Sequence, residues 1–126
     1  MRLLLDTNVL IWWLAGIPRF GDAAEGAIAG ADQVFASAVS GYEVAFKRTI
    51  GKLVVPDDFS EQIDKHGFDE LPVTLGHAIG AGELPLHHRD PFDRLLVAQA
   101  RSEGLTLVTS DRKLVAYDVP ILDAAS

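Results

Sequence analysis

Four acidic residues stand where a carboxylate could do chemistry: Asp6, Glu43, Asp93 and Asp111. Asp6 directly follows the apolar run Leu3-Leu4-Leu5 and opens Asp6-Thr7-Asn8. All three polar types favour helix N-caps, yet one suffices, and a single carboxylate can cap a helix and hold a metal together. Glu43 lies in a helix-length segment, 38–50, where Val39, Tyr42, Phe46 and Ile50 recur at spacings of three and four. That stripe is expected to face inward, with Glu43 on or beside it. As a surface residue paired with Lys47, Glu43 would contribute only about 0.3–0.5 kcal/mol. Turned inward, it needs a cation or hydrogen-bond donors. Asp90-Pro91 reads as N-cap and first helical residue, which accounts for Asp90. Asp93 is harder to explain that way, because residues 95–100 after it carry no charge. The acidic start of so apolar a helix is expected to open into a cleft. Asp111 closes the run Leu105-Thr106-Leu107-Val108-Thr109-Ser110, although Thr109 and Ser110 could cap the following turn without it.

Each motif is weak alone, and the set is stronger than its parts. Several carboxylates converging in one cleft repel one another unless a hard cation neutralises them. Oxygen donors in a chain without cysteine select Mg2+, or Mn2+, over softer metals. Such a site activates water and stabilises the charge that develops as a phosphodiester is cleaved. Lys47, Arg48, Arg94, Arg112 and Lys113 lie beside these acids and are the expected phosphate contacts. His66, His77, His87 and His88 are expected in surface or structural roles. Two other readings compete: a phosphatase- or receiver-like phosphoryl-transfer domain, and a scaffold that binds without catalysis. The first wants a second acid close to Asp6, where the chain has Thr7 and Asn8.

The elements that must position these residues follow from the apolar pattern. Leu3–Leu5, Val34–Ala36, Leu71–Val73, Leu105–Val108 and Val119–Leu122 are runs of strand length, apolar at successive positions as in strands buried on both faces. Helix-length segments lie between them, at about 8–16, 22–31, 38–50, 57–67, 74–81 and 91–104. Such alternation predicts a parallel sheet in an α/β sandwich. Ligands of open parallel sheets bind beyond the carboxyl ends of the strands, where Asp6 and Asp111 fall. With no repeat, low-complexity tract or linker in 126 residues, residues 1–126 are expected to form one domain.

Composition bounds the rest. Mean hydropathy is +0.18 and 48% of residues are hydrophobic, which excludes a disordered chain. The absence of cysteine excludes thiolate metal sites and disulfide scaffolds. No apolar run reaches the roughly 18 residues a membrane helix needs, and Asp6 and Asn8 interrupt the only signal-like segment. A cytoplasmic protein that does not contact membranes is the expectation. The formal charge of -7 argues at first against a nucleic-acid partner. Four of the eighteen acids belong to the proposed site, however, and two divalent ions there would bring the net charge to -3. The remaining acidity suits a protein partner with a basic docking segment.

Taken in order, Leu-Leu-Leu-Asp6-Thr7-Asn8-Val-Leu, Tyr42-Glu43, Asp90-Pro-Phe-Asp93-Arg94-Leu-Leu-Val-Ala-Gln-Ala and Leu-Val-Thr109-Ser110-Asp111 resemble a PIN-domain nuclease. More closely, they resemble the VapC-type toxins of toxin–antitoxin modules. The resemblance runs from residue 2 to about residue 122. It implies a PIN-like α/β/α sandwich with a central parallel sheet of four to five strands flanked by helices. It further implies a homodimer acting as a Mg2+- or Mn2+-dependent endoribonuclease. Asp6 and Asp93 match the family's main metal ligands, and Glu43 and Asp111 match positions that complete the site. Thr7, Asn8, Thr109 and Ser110 match supporting polar residues. Asn8 and Tyr42 depart from the closest subgroup, which often has His and Trp there, and neither departure removes a carboxylate. A cognate antitoxin that fills the active-site groove is implied as partner. Trp12 and Trp13 are candidates for burial between subunits.

Overall fold

The sheet is built from four of the apolar runs, whereas the strand expected at Leu71–Val73 forms earlier, at Asp69–Leu71, where an edge strand with exposed Asp69 and Glu70 needs no continuous apolar run. A computed structural model describes all 126 residues, with β1 at Arg2–Leu5, β2 at Gln33–Ser37, β3 at Asp69–Leu71, β4 at Thr106–Thr109 and β5 at Ile121–Asp123. All pair in parallel, in the order β3-β2-β1-β4-β5. Leu3, Leu4 and Leu5 are 0% exposed, because β1 is central and both of its faces are covered. Leu4 joins Phe35, Leu71 and Leu107 in one core, while Leu3 and Leu5 join Val34, Ala36 and Val108 in the other. Alternate side chains of a strand point to opposite faces. Burial on both faces therefore requires the consecutive apolar residues Leu3, Leu4 and Leu5, while Arg2 at the strand's start is exposed.

Helices cover the two faces. They are α1 (Thr7–Leu14), α2 (Asp22–Ala29), α3 (Ala38–Thr49), α4 (Phe59–Lys65), α5 (Leu75–Glu83) and α6 (Pro91–Glu103). Val9, Leu10 and Ile28 of α1 and α2 pack on the Leu3/Leu5 side, with Phe59 and Ile63 of α4 against them. Val39, Ala81, Leu96, Val97 and Ala100, from α3, α5 and α6, pack on the Leu4 side. A fully buried Leu or Val contributes about 1.5–3 kcal/mol, so these two layers supply the main drive to fold. This is the α/β/α sandwich anticipated from strand–helix alternation.

Two local devices fix α6, the helix that carries Asp93. Asp90 accepts the N–H of Phe92 at 2.8 Å, and Pro91 stands in the first turn, where its missing N–H costs nothing. The helix ends at Gly104, whose φ of 67° is left-handed and strained for any residue with a side chain.

Helix α3 does not turn as its periodicity suggests. Val39, Ser40, Glu43 and Val44 are its buried residues, whereas Tyr42 is 61% exposed and Phe46 and Ile50 are also exposed. The inward stripe starts at Val39 and then follows Glu43, not Tyr42 and Phe46. Those two rings stack on each other with centroids 6.0 Å apart, and Phe92 lies 5.8 Å from Tyr42. The aromatic rings thus shelter one another on the surface.

Trp12 and Trp13 find partners within the chain. Both are half-buried and pack edge-on to Phe20, and the Arg19 guanidinium lies over Trp12. No helix is long and apolar enough to cross a membrane.

Candidate functional site

Strands β1 and β4 are neighbours, and the chain leaves both at their carboxyl ends on the same side of the sheet. The sheet order changes direction at this pair, the place where open α/β sheets form their ligand crevice. Asp6 follows β1, Thr109 ends β4, and two hydrogen bonds tie them. The Asp6 N–H donates to Val108 O at 3.0 Å, and the Thr109 hydroxyl donates to Asp6 Oδ2. Asp6 Oδ1 accepts the Val9 N–H at 2.8 Å as the N-cap of α1. The residue therefore caps a helix and faces the crevice at once.

Asp111 follows Thr109 into a short 3-10 helix at Arg112–Ala116. Asp111 itself caps that turn, accepting the Lys113 N–H at 2.9 Å. The Thr109 hydroxyl in turn accepts the Asp111 N–H at 3.0 Å. One hydroxyl thus couples Asp6 to the backbone of Asp111. Glu43 reaches the site from α3, buried to 7% exposure, with the Lys47 ammonium donating to its Oε2 at 2.6 Å. Both expectations for Glu43 hold together: it faces inward and it pairs with Lys47. Asp93 reaches the site from the first turn of α6.

Electrostatics record the convergence. Burial pushes the Asp6 carboxyl up to about 6 against the hydrogen bonds from Thr109 and Val9, and the charges of Glu43 and Asp111 add to the rise. Asp93 is pushed up to about 7, mainly by burial and then by the charge of Asp90, with Asp6 and Asp111 contributing and His88 opposing. Asp111 moves the other way: burial pushes it up, but the Lys113 N–H and the His88 hydrogen bond outweigh that and hold it below the usual range. In both raised acids burial is the leading cause, and the neighbouring carboxylates add to it.

The supporting residues divide. Thr7 is buried, its hydroxyl 2.9 Å from that of Ser40, so it ties α1 to α3. Asn8 and Ser110 are exposed. Among the basic residues, Lys47 is committed to Glu43, and Arg48 donates to Pro56 O at 3.2 Å. Arg112 and Lys113 are exposed beside Asp111.

Arg94 has a different task from the phosphate contact its position suggests. It is 8% exposed. Its guanidinium donates to the carbonyls of Ala81, Gly82, Leu84, Pro85 and His88 and to the Tyr117 hydroxyl. The two terminal guanidinium nitrogens, Nη1 and Nη2, here hold the end of α5 and the 84–88 loop and are committed to those acceptors rather than to a phosphate.

One residue of the cluster was not anticipated. His88 places Nε2 2.9 Å from Asp111 Oδ2 and 3.2 Å from Asp93 Oδ2, and these three side chains form a compact group of potential metal ligands. Its neighbour His87 is exposed and lies edge-on to Tyr117. A signal for His88 existed: a histidine two residues before a helix N-cap can fold its ring back over the helix start. Surface or structural roles are the expectation for all four histidines, and His88 is the one whose ring meets the acids of the site.

A parallel sheet in the order 3-2-1-4-5 with acids gathered past β1 and β4 defines a class of α/β/α domain, and the family comparison specifies it. The PIN domain family model matches residues 3–120. Ribonuclease VapC22 of Mycobacterium tuberculosis (strain ATCC 25618 / H37Rv) is 35% identical over 121 residues, covering 93% of this chain and 92% of that protein. The chain belongs to the PIN-domain family. Its fold is shared with solved structures at lower identity. DNA-bound VapBC from Salmonella typhimurium superposes with a TM-score of 0.73 at 19% identity, covering 99% of both chains. VapBC2 from Rickettsia felis, bound to a DNA fragment from its promoter, gives 0.71 at 17% identity, covering 97% of this chain and 98% of the other. Membership sets aside the phosphatase- and receiver-like alternatives.

Proposed function

We propose that this protein is a metal-dependent endoribonuclease and the toxin of a toxin–antitoxin pair, hydrolysing RNA phosphodiester bonds at Asp6, Glu43, Asp93 and Asp111. One observation carries the reading. Acids from four separate segments converge at one end of the sheet, and two of them resist ionisation there. The relative named ribonuclease VapC22, similar over nearly the whole chain, supports the reaction. The VapBC complexes that share the fold support a protein antitoxin as partner.

The donor set fits Mg2+ or Mn2+, being carboxylate oxygens with no thiolate in the chain. Asp6 and Asp93 would hold the ion, with Asp111 completing the set. Bound there, a divalent ion supplies a water of lowered pKa and charge for the scissile phosphate to lie against.

The chain's own residues supply the remainder. Asp6 is aimed by its cap bond and by Thr109, so its free lone pairs keep one direction. Glu43, fixed by Lys47 on one oxygen, presents the other to orient the attacking water and take its proton. Arg112 and Lys113, exposed at the rim beside Asp111, are the cations best placed to meet RNA phosphates. The exposed Asn8 and Ser110 can donate to substrate from the same rim. A homodimer in the cytoplasm completes the proposal.

The test is RNA cleavage under metal titration. Wild-type protein should cleave with Mg2+ or Mn2+ and not with EDTA. Asp93→Asn should lose at least a hundredfold in rate while remaining folded. Full activity in Asp93→Asn, or in EDTA, would sink the assignment.

A further inference from the structure

Every polar atom of His88 has a partner. Its backbone N–H donates to the Tyr117 hydroxyl oxygen at 3.0 Å, and its carbonyl accepts from Arg94 at 3.1 Å. In the ring, Nδ1 accepts the backbone N–H of Asp90 at 3.0 Å, and Nε2 faces Asp111 and Asp93. Arg94 and Tyr117 are both buried, so the loop carrying the ring is anchored from two directions.

The Nδ1 contact decides what Nε2 can be. An imidazole nitrogen that accepts an N–H carries no proton, so the ring's proton sits on Nε2. Distance alone would make Nε2 a metal ligand with Asp93 and Asp111. A ligating histidine instead needs a bare nitrogen at the metal and a proton on the other, normally given to a carboxylate, carbonyl or water. Here the other nitrogen meets a donor, the Asp90 N–H, which the start of α6 holds in place. A proton on Nδ1 would clash with it.

We propose that His88 is a positioning residue and not a metal ligand: it donates its Nε2 proton to Asp111 Oδ2 while Asp93 Oδ2 lies 3.2 Å from the same nitrogen, and so sets the separation of the two carboxylates across the site. Asp111 is then bonded through both oxygens, Oδ1 to the Lys113 N–H and Oδ2 to His88. Asp93 lies against the same nitrogen through Oδ2, which leaves Oδ1 for a cation. The role keeps two mutually repelling acids in place before any ion arrives. Only its effect on the ion rests on the proposed metal site; the tautomer does not.

Nuclear magnetic resonance of 15N-histidine-labelled full-length protein, free and loaded with Mg2+, tests the tautomer. Calorimetric Mg2+ titration of wild type, His88→Ala and His88→Gln tests the role. The expected spectrum has bare Nδ1 and protonated Nε2 in both states. His88→Ala should weaken Mg2+ binding by roughly 10-fold or more. His88→Gln, whose amide offers an N–H at similar reach, should recover most of that loss. A proton on Nδ1 in either state overturns the proposal. So does an unchanged Mg2+ affinity in His88→Ala, or a His88→Gln variant as weak as His88→Ala. If wild type binds no Mg2+, the metallonuclease reading fails, and the tautomer of the metal-free protein alone decides whether His88 is the clamp.

Discussion

The Thr109 hydroxyl donates to Asp6 Oδ2 while accepting the backbone N–H of Asp111 at 3.0 Å. One side chain at the end of β4 thereby aims an acid that follows β1 and anchors another on the turn beyond β4. The prediction is that Thr109→Val, similar in shape but without the hydroxyl, destabilises the fold by about 1–3 kcal/mol by leaving the Asp111 N–H unpaired. It should also raise the Asp6 carboxyl further, since the lost bond favours the ionised form. Urea denaturation and a pH series of metal affinity check the two effects. Wild-type values in both would show that the hydroxyl is idle.

Neutralising an acid of the cluster should cost activity and spare stability. Asn caps a helix as well as Asp does, so Asp6→Asn keeps the α1 cap while removing a charge that Asp93 feels. In EDTA, both Asp6→Asn and Asp93→Asn should melt at or above the wild-type temperature, and with Mg2+ supplied neither should cleave RNA. A large loss of thermal stability in both would mean that the carboxylates are held there for the fold.

The dependence on pH has a definite sign. Asp6 at about 6 and Asp93 at about 7 lie above the ordinary value of 3.8. Their protonated forms are favoured by folding, so that contribution is whole below about pH 4 and is lost as pH rises through 6 and 7. Metal-free protein should therefore lose unfolding free energy between about pH 4 and 8. Mg2+ needs the ionised forms, so its affinity should rise across the same interval, with protons released on binding. Calorimetry in buffers of different ionisation enthalpy counts them. No proton release near pH 6 would contradict the raised values.

Arg94 should prove a residue of the fold. Its guanidinium bonds five carbonyls and a hydroxyl from a buried position. Arg94→Ala should cost on the order of 4 kcal/mol, and Arg94→Lys should recover little of it, because an ammonium cannot reach acceptors arranged for a planar fork. RNA affinity, by contrast, should fall with Arg112→Ala or Lys113→Ala. Denaturation and RNA-binding titrations of the same variants separate the two roles. A fully stable Arg94→Ala with weakened RNA binding would reverse them.

Much of this molecule is legible along the chain. The runs at Leu3–Leu5, Val34–Ala36 and Leu105–Val108 specify the three inner strands, buried on both faces, while the edge strands β3 and β5 are partly exposed. The acid after Leu5 caps the helix that follows, and Asp90-Pro91 starts α6. These features depend on neighbours a few residues away, so spacing and residue type determine them. The placement of Asp6 and Asp111 at one end of the sheet follows as well, because parallel strands all end on the same side.

What tertiary structure decided needs partners far along the chain. The rotation of α3, which turns Tyr42 and Phe46 outward and Glu43 inward, depends on what packs against the helix. Periodicity marks an apolar stripe without saying whether a core or solvent meets it. The duties of Arg94 and His88 depend on the path of residues 84–90, set by Tyr117, 29 positions beyond His88. Hydrogen bonds are short and directional. The types and order of the site residues are therefore written in the sequence, while which nitrogen of His88 faces the acids, and which cation remains free for a phosphate, exist only once the loop is closed.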